Sequence, residues 1–367
     1  MHYKRVLSLD VFRGLTIVLM ILVNSQGTRH PYWILEHATW NGCTLADLVF
    51  PTFLFMVGMS SVISLSKHLG AEVKSNLYGI ILKRSIILFA LGLFLNVFPN
   101  PFNFETIRVY GVLQRIAVCY FICSIIYLNT SIKTQILIFL GILWGYWLII
   151  TSIPVPGFGF NQLSTHGNWV AYFDQMLVAA PHLYGKVYDP EGFLSTIPAV
   201  ASTLLGGLTG NLLLASLSNQ KRCGIMILSG CLFLLLGWLW DFSFPINKNL
   251  WTSSFVLWTS GFALVAFAFC FFILDILGYK KWAFPLKIFG MNALFAFVLH
   301  VILLKLQANF FMPLKNGTPD NLRVFIADYV FGVYGLRNAA LFYAIGFVLL
   351  NFIVVAILYR RKIFIKI

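Results

Sequence analysis

Residues 7–25, LSLDVFRGLTIVLMILVNS, make an apolar run long enough to cross a bilayer as one helix, yet it carries an acid and a base, Asp10 and Arg13. Nine further runs follow, near 45–65, 78–97, 111–128, 132–153, 194–216, 223–240, 252–276, 284–304 and 338–358. Of the 367 residues, 59% are hydrophobic and 10% charged, against about a quarter charged in an ordinary soluble domain. Mean hydropathy is +0.85. A soluble core of this length cannot hide that much apolar surface, whereas lipid accepts it span by span. The expected fold is an all-α polytopic membrane bundle of about ten transmembrane helices. The first run is read as a span and not a cleavable leader, because Asp10 and Arg13 interrupt it and no small-residue cleavage site follows.

The net charge of +14 would suggest nucleic acid in a soluble protein. Here the basic residues collect in alternate short loops: MHYKR (1–5), SKHLGAEVKSN (66–76) with Lys83 and Arg84, Lys133, Lys221 and Arg222, Lys280 and Lys281, and YRRKIFIK (359–366). That bias predicts an N-in/C-in arrangement and no nucleic-acid partner. The loops on the other side are longer and richer in Trp, Tyr and Gly, above all 154–192 and 305–337. Within the latter, RVFIADYVFGVYG is too short and too charged to span, so a re-entrant or interfacial segment is expected near 320–336. No internal repeat or second soluble domain is visible, and the six cysteines form neither a CxxC pair nor a Cys/His cluster. No metal is expected.

Charge inside a membrane is costly, which makes each such residue a candidate for function. Asp10 and Arg13 are three apart and can pair on one helix face. Asn24, eleven residues beyond Arg13, returns to nearly that face about 16 Å further out. His37 follows in a short loop beside Glu36, Trp33 and Trp40, where an imidazole can serve as general base or nucleophile. Asp47 stands three residues after Thr44, the spacing of a helix N-terminal cap, and capping is its first reading unless geometry sets it against His37. Arg115, inside an apolar run, calls for a partner such as Glu105 or Asp47. Asp241 and Lys248 flank an outer turn with aromatic and amide groups suited to carbohydrate. Asn292 and His300, eight apart on the ninth run, are expected roughly on one side of it. For each of these a packing role competes with a functional one. No phosphate-cradling glycine loop, HExxH or GxSxG occurs.

The succession LSLDVFRGLTIVLMILVN, EHATWNGCTLADLVFPTFLFMVG, RVYGVLQRIA, YDPEGFLSTIPAVASTLLGGLTG, INKNLWTSSFVLWTSGFAL and FGMNALFAFVLH resembles the heparan-α-glucosaminide N-acetyltransferase family over nearly the whole chain. The resemblance implies one transmembrane acyltransferase domain over 1–367. It implies transfer of acetyl from cytoplasmic acetyl-CoA, a cosubstrate, to the amine of a glucosamine-type sugar or glycan on the other side. The family's catalytic histidine falls on His37 in HATWNG and its asparagine on Asn24. The lysosomal form carries an N-terminal luminal region that this sequence lacks, so a prokaryotic inner-membrane member is expected, and a homodimer is compatible with it. On this reading Lys83, Arg84, Lys221, Arg222, Lys280 and Lys281 are candidates to hold the CoA nucleotide. Two rivals use the same polar bundle: a secondary transporter of a sugar or amphipathic solute, and an O-acyltransferase of envelope polysaccharide. Against the transporter, neither an inverted repeat nor a pair of broken helices is visible in the sequence.

Overall fold

The computed structural model describes residues 6–68, 74–99, 103–314 and 319–365; the basic segment 1–5, part of 66–76 and Lys366 lie outside them. The described chain is mainly helical, with almost no strand: α1 Leu7–Asn24, α2 Leu45–Leu65, α3 Lys74–Val97, α4 Val112–Asn129, α5 Ile132–Ser152, α6 Trp169–Leu177, α7 Phe193–Leu214, α8 Asn219–Asp241, α9 Ser253–Phe271, α10 Phe284–Met291, α11 Ala293–Asn309, α12 Leu322–Phe331 and α13 Leu336–Arg360. Nine of them are long and apolar enough to cross a bilayer; α10 and α11, bent by 72° at their junction, make a tenth if counted as one span. The protein is an all-α, multi-pass membrane bundle. The expected ninth span over 284–304 is therefore broken. Asn292 sits at the break with non-helical backbone (φ −123°, ψ 38°). Its buried amide donates to the carbonyl of Ile363 at 3.1 Å and accepts from the N–H of Ile365 at 3.0 Å. The reading of 284–304 as one continuous span is thereby corrected, as is the placing of Asn292 and His300 on one side of it.

Two compact units emerge from the packing. The first comprises residues 1–38, 44–50 and 269–366. In it α1 lies along α10, with α11 and α13 also against it. The approach of α1 to α10 is as close as backbone allows: a methyl on Gly14 would lie 1.8 Å from the Leu286 oxygen, and one on Gly290 equally close to that of Asp10. Lipid is as apolar as any side chain, so helices in it associate through such small-residue contacts. A short hairpin, β1 Phe311–Pro313 with β2 Pro319–Asn321, leads into α12, whose ten residues are too few to span.

The second unit comprises residues 39–43 and 51–268. Here α7 is the central helix, buried along most of its length, with α4, α5, α6 and α8 against it. Gly206 faces the Phe55 carbonyl of α2 and Gly58 faces that of Thr203, again at distances that exclude any side chain. One end of this unit holds an aromatic-rich cluster around Tyr146, Ile150, Val170, Leu194, Phe244 and Leu250. Segment 154–192, long and loop-like in sequence, contains α6, capped by Asn168, whose side chain accepts from the Ala171 N–H at 2.8 Å.

Candidate active site

The first unit brings together the polar groups of 24–38 and 44–47. The Nδ1 of His37 lies 2.8 Å from Oδ1 of Asp47. Asp47 Oδ2 accepts from the backbone N–H of Ala38 at 2.9 Å and of Thr44 at 3.1 Å. The carboxylate is thus both the cap of α2 and the partner of the histidine, and the two readings of Asp47 merge. Its side chain is 1% exposed, that of His37 50%. A buried carboxylate against Nδ1 makes that nitrogen the protonated one, so the basic Nε2 belongs to the half-exposed edge of the ring. Thr44 steadies the loop, donating its hydroxyl to the Glu36 carbonyl at 2.6 Å.

Asn24, exposed at the end of α1, places its Nδ2 3.5 Å from Nε2 of the buried His300 on α11. The sequence names both residues without pairing them. Asp10 and Arg13 form the expected pair at 3.5 Å, and Arg13 also donates to the Gly290 carbonyl at 3.3 Å. The bond from Arg13 to Gly290 ties α1 to α10. Next to His37 opens a hollow of about 680 Å³ whose wall includes Arg29, His30, Tyr32, Glu36, Tyr334 and Arg337. Tyr32 donates to Asn338 Oδ1 at 2.6 Å, fixing this wall to the start of α13. At the opposite end of α1, Leu7, Lys280, Lys281, Ala283, Phe284 and Lys287 line a recess of about 480 Å³. The sequence reading offers Lys280 and Lys281 for an anionic ligand but misses Lys287, which α10 brings to the same place one turn later.

Other candidates lie in the second unit. In the second unit, Arg222 donates to the Ala215 carbonyl at 2.6 Å and to Asn219 at 3.0 Å, closing the α7–α8 turn. The Arg84 guanidinium lies 5.0 Å from the Tyr120 ring centre, and Lys83 and Lys221 are exposed. Asp241 accepts from the Ile246 N–H at 2.6 Å and so closes the outer turn. Asn247 is fully buried: it donates to Asn41 at 3.0 Å and accepts from the Leu250 N–H at 2.9 Å. The loop expected to offer amides to carbohydrate thus spends this one on clasping the Trp40-Asn41-Gly42 part of the histidine motif; Lys248 lies in the same turn. Arg115 meets neither Glu105 nor Asp47. Its Nη2 donates to the Gly192 carbonyl at 3.2 Å and to Ser195 Oγ at 2.5 Å, and its guanidinium stands 4.9 Å from the Trp251 ring. A cap-to-helix turn supplies acceptors that spacing in sequence cannot reveal.

The acidic turn at 189–191 is held by Arg108, which grips Asp189 with two bonds of 2.7 and 2.6 Å and reaches Glu191 at 2.5 Å. Burial opposes the charge of Arg108, but the bond to Asp189 and the neighbouring acids outweigh it and raise its pKa. Asp174 on α6 accepts the backbone N–H groups of Asp189 and Phe193 at 3.0 and 3.1 Å. Burial nevertheless pushes its carboxyl up to about 6.

The model of the heparan-alpha-glucosaminide N-acetyltransferase catalytic family matches residues 5–239 of this chain. The chain belongs to that family. The heparan-alpha-glucosaminide N-acetyltransferases of Homo sapiens and Mus musculus are 31% and 30% identical to it, over 81% and 82% of its length. The chain spans about half the length of these curated relatives, 53% and 54%. The family match takes in Asn24, His37 and Asp47; the recess lysines and His300 lie beyond its end.

Proposed function

We propose that this member of the family is a transmembrane N-acetyltransferase. It takes acetyl from cytoplasmic acetyl-CoA and gives it to the amine of a glucosamine-type sugar on the extracytoplasmic side. The His37–Asp47 pair is the observation that carries this reading. The names of the relatives support the reaction class, and the two hollows support a division of substrates. The recess at the start of α1 presents three lysines and an aromatic ring, chemistry for the phosphates and adenine of CoA. The hollow beyond the end of α1 presents tyrosines, arginines and Glu36, chemistry for a sugar with a charged substituent. The 18 residues of α1 separate these ends by about 27 Å, close to the ~30 Å hydrocarbon core. The pantetheine arm carries the thioester from the recess into the bundle, toward Asn24 and His37.

In the reaction, His37 Nε2 takes a proton from the neutral sugar amine as it attacks, while Asp47 steadies the imidazolium that forms. The amine nitrogen bonds to the thioester carbon, and the carbon–sulfur bond breaks. The proton held by His37 then passes to the leaving thiolate. Asn24 donates its amide N–H to the carbonyl oxygen as negative charge develops there. A two-step route, with acetyl passing through the imidazole, uses the same residues. Purified protein with labelled acetyl-CoA and glucosamine tests the assignment: wild type forms N-acetylglucosamine and His37→Ala does not. Undiminished turnover in His37→Ala would overturn it.

A further inference from the structure

The lysine recess stands largely on α10, a helix of only eight residues. A helix that short, about 12 Å, is not stable by itself, so its direction is set by what grips it. One grip is α1, through the close backbone contacts at Gly14 and Gly290. A second comes from the segment that follows α13. That helix stops at Arg360, Lys362 takes the left-handed conformation (φ 58°), and the Ile363 N–H closes the turn on the Leu358 carbonyl at 2.9 Å. The chain then returns to α10 as a strap over 363–365.

The strap bears on both ends of α10. Just past the last residue, Met291, the buried Asn292 amide donates to the Ile363 carbonyl and accepts from the Ile365 N–H, so one side chain engages two backbone groups of the strap. At the first residue, Phe284, rings make the contact: Tyr359 stands 5.8 Å from Phe284 at 85°, and Phe364 of the strap stands 6.1 Å from Tyr359 at 77°. Phe284 lines the recess with Lys280, Lys281 and Lys287. Lys287 lies on α10 between the two anchors. The side chains of Ile363 and Ile365 are each 43% exposed, so the strap grips through its backbone and the Phe364 ring.

We infer that Asn292 and the strap over 363–365 form a positioning clasp for the donor recess. By holding α10 at both ends, the clasp keeps the Phe284 ring and the Lys287 ammonium in place for the nucleotide end of CoA. The inference rests on the reading of this recess as the donor site. None of the clasp residues lines the recess, so the clasp acts on donor affinity and leaves the chemistry at His37 untouched.

Binding and kinetics of the full-length protein in nanodiscs test it. Ile365→Pro removes the N–H that Asn292 accepts, whereas Ile365→Ala trims an exposed side chain and keeps that bond. Phe364→Ala removes the ring behind Tyr359, and Phe364→Tyr restores one. Ile365→Pro and Phe364→Ala are each expected to raise both the calorimetric Kd for CoA and the KM for acetyl-CoA roughly three- to tenfold, the range that one lost hydrogen bond or ring pair supplies. The values of kcat and of KM for glucosamine should stay at wild type, and Ile365→Ala and Phe364→Tyr should match wild type throughout. A clasp that served the fold alone would lower the melting temperature and leave the Kd of the folded protein unchanged. An unchanged Kd in either folded variant, or an equal rise in Ile365→Ala, would therefore overturn the inference. CoA binding that is absent from wild type, or that survives replacement of Lys280, Lys281 and Lys287 by alanine, would overturn the donor-site reading and this inference with it.

Discussion

Asp47 is a helix cap that also holds a histidine, and the two tasks respond differently to substitution. An asparagine caps almost as well as an aspartate, because its side-chain oxygen still accepts the N–H of Thr44. It cannot supply negative charge to an imidazolium. Asp47→Asn is therefore expected to leave the melting temperature near that of wild type and to lower kcat by about two to four orders of magnitude. A matching loss in both quantities would mean that the carboxylate serves the fold alone. Asp174 gives a residue-scale prediction about pH. Its folded-state pKa of about 6 lies above the ordinary 3.8, chiefly through burial. Folding therefore favours the protonated form: the contribution is complete below about pH 4 and is lost as pH rises through about 6. Wild type should lose thermal stability between those values relative to Asp174→Asn, which has no titration there. A pH-independent difference between the two would contradict this. The sequence showed His37 and Asp47 with their separate chemistries, but only the fold of the loop over 38–44 brings them into contact. Arg115 was legible as a cation in need of partners, yet the Gly192 carbonyl and Ser195 arrive from a turn some eighty positions away.

Among the elements, apolar runs of some twenty residues predicted nearly every long helix within a few positions, because the bilayer imposes length and composition together. The break at Asn292 escaped for the same reason. Hydropathy averages over a window and is blind to direction, and FPLKIFGMNALFAFVLH remains apolar across the bend. A discontinuous helix in a membrane often offers its loose backbone to a solute. Here the Asn292 amide is taken by Ile363 and Ile365, which gives the break a structural occupant. The α1–α10 contact explains the placement of Gly14 without appeal to turns. Gly14→Ala puts a methyl into the Leu286 carbonyl, and overpacking of that kind should cost about 1–3 kcal/mol. Thermal unfolding in detergent would register it, while Gly346→Ala, where an added methyl meets nothing within 4 Å, should be neutral or stabilising by up to about 1 kcal/mol. Equal effects at the two sites would argue against the packing account.

Over the whole molecule, the account depends on two chemistries at opposite ends of one helix. Lys280, Lys281 and Lys287 are expected to bind anions by charge at an exposed rim, which salt screens over about 10 Å at 0.1 M. Replacing all three with alanine should raise KM for acetyl-CoA several-fold and flatten its dependence on ionic strength, with kcat little changed. A fall in kcat alone would place CoA elsewhere. The histidine end should respond in the opposite sense, with kcat lost and donor binding retained. Sidedness joins the two and tests the central claim most directly. In sealed vesicles of known orientation, labelled acetyl-CoA is supplied on the face bearing the lysine recess and glucosamine on the other. N-acetylglucosamine should appear on the glucosamine side with wild type and not with His37→Ala. Product formed only when donor and acceptor share one side, or formed equally well without His37, would contradict the account.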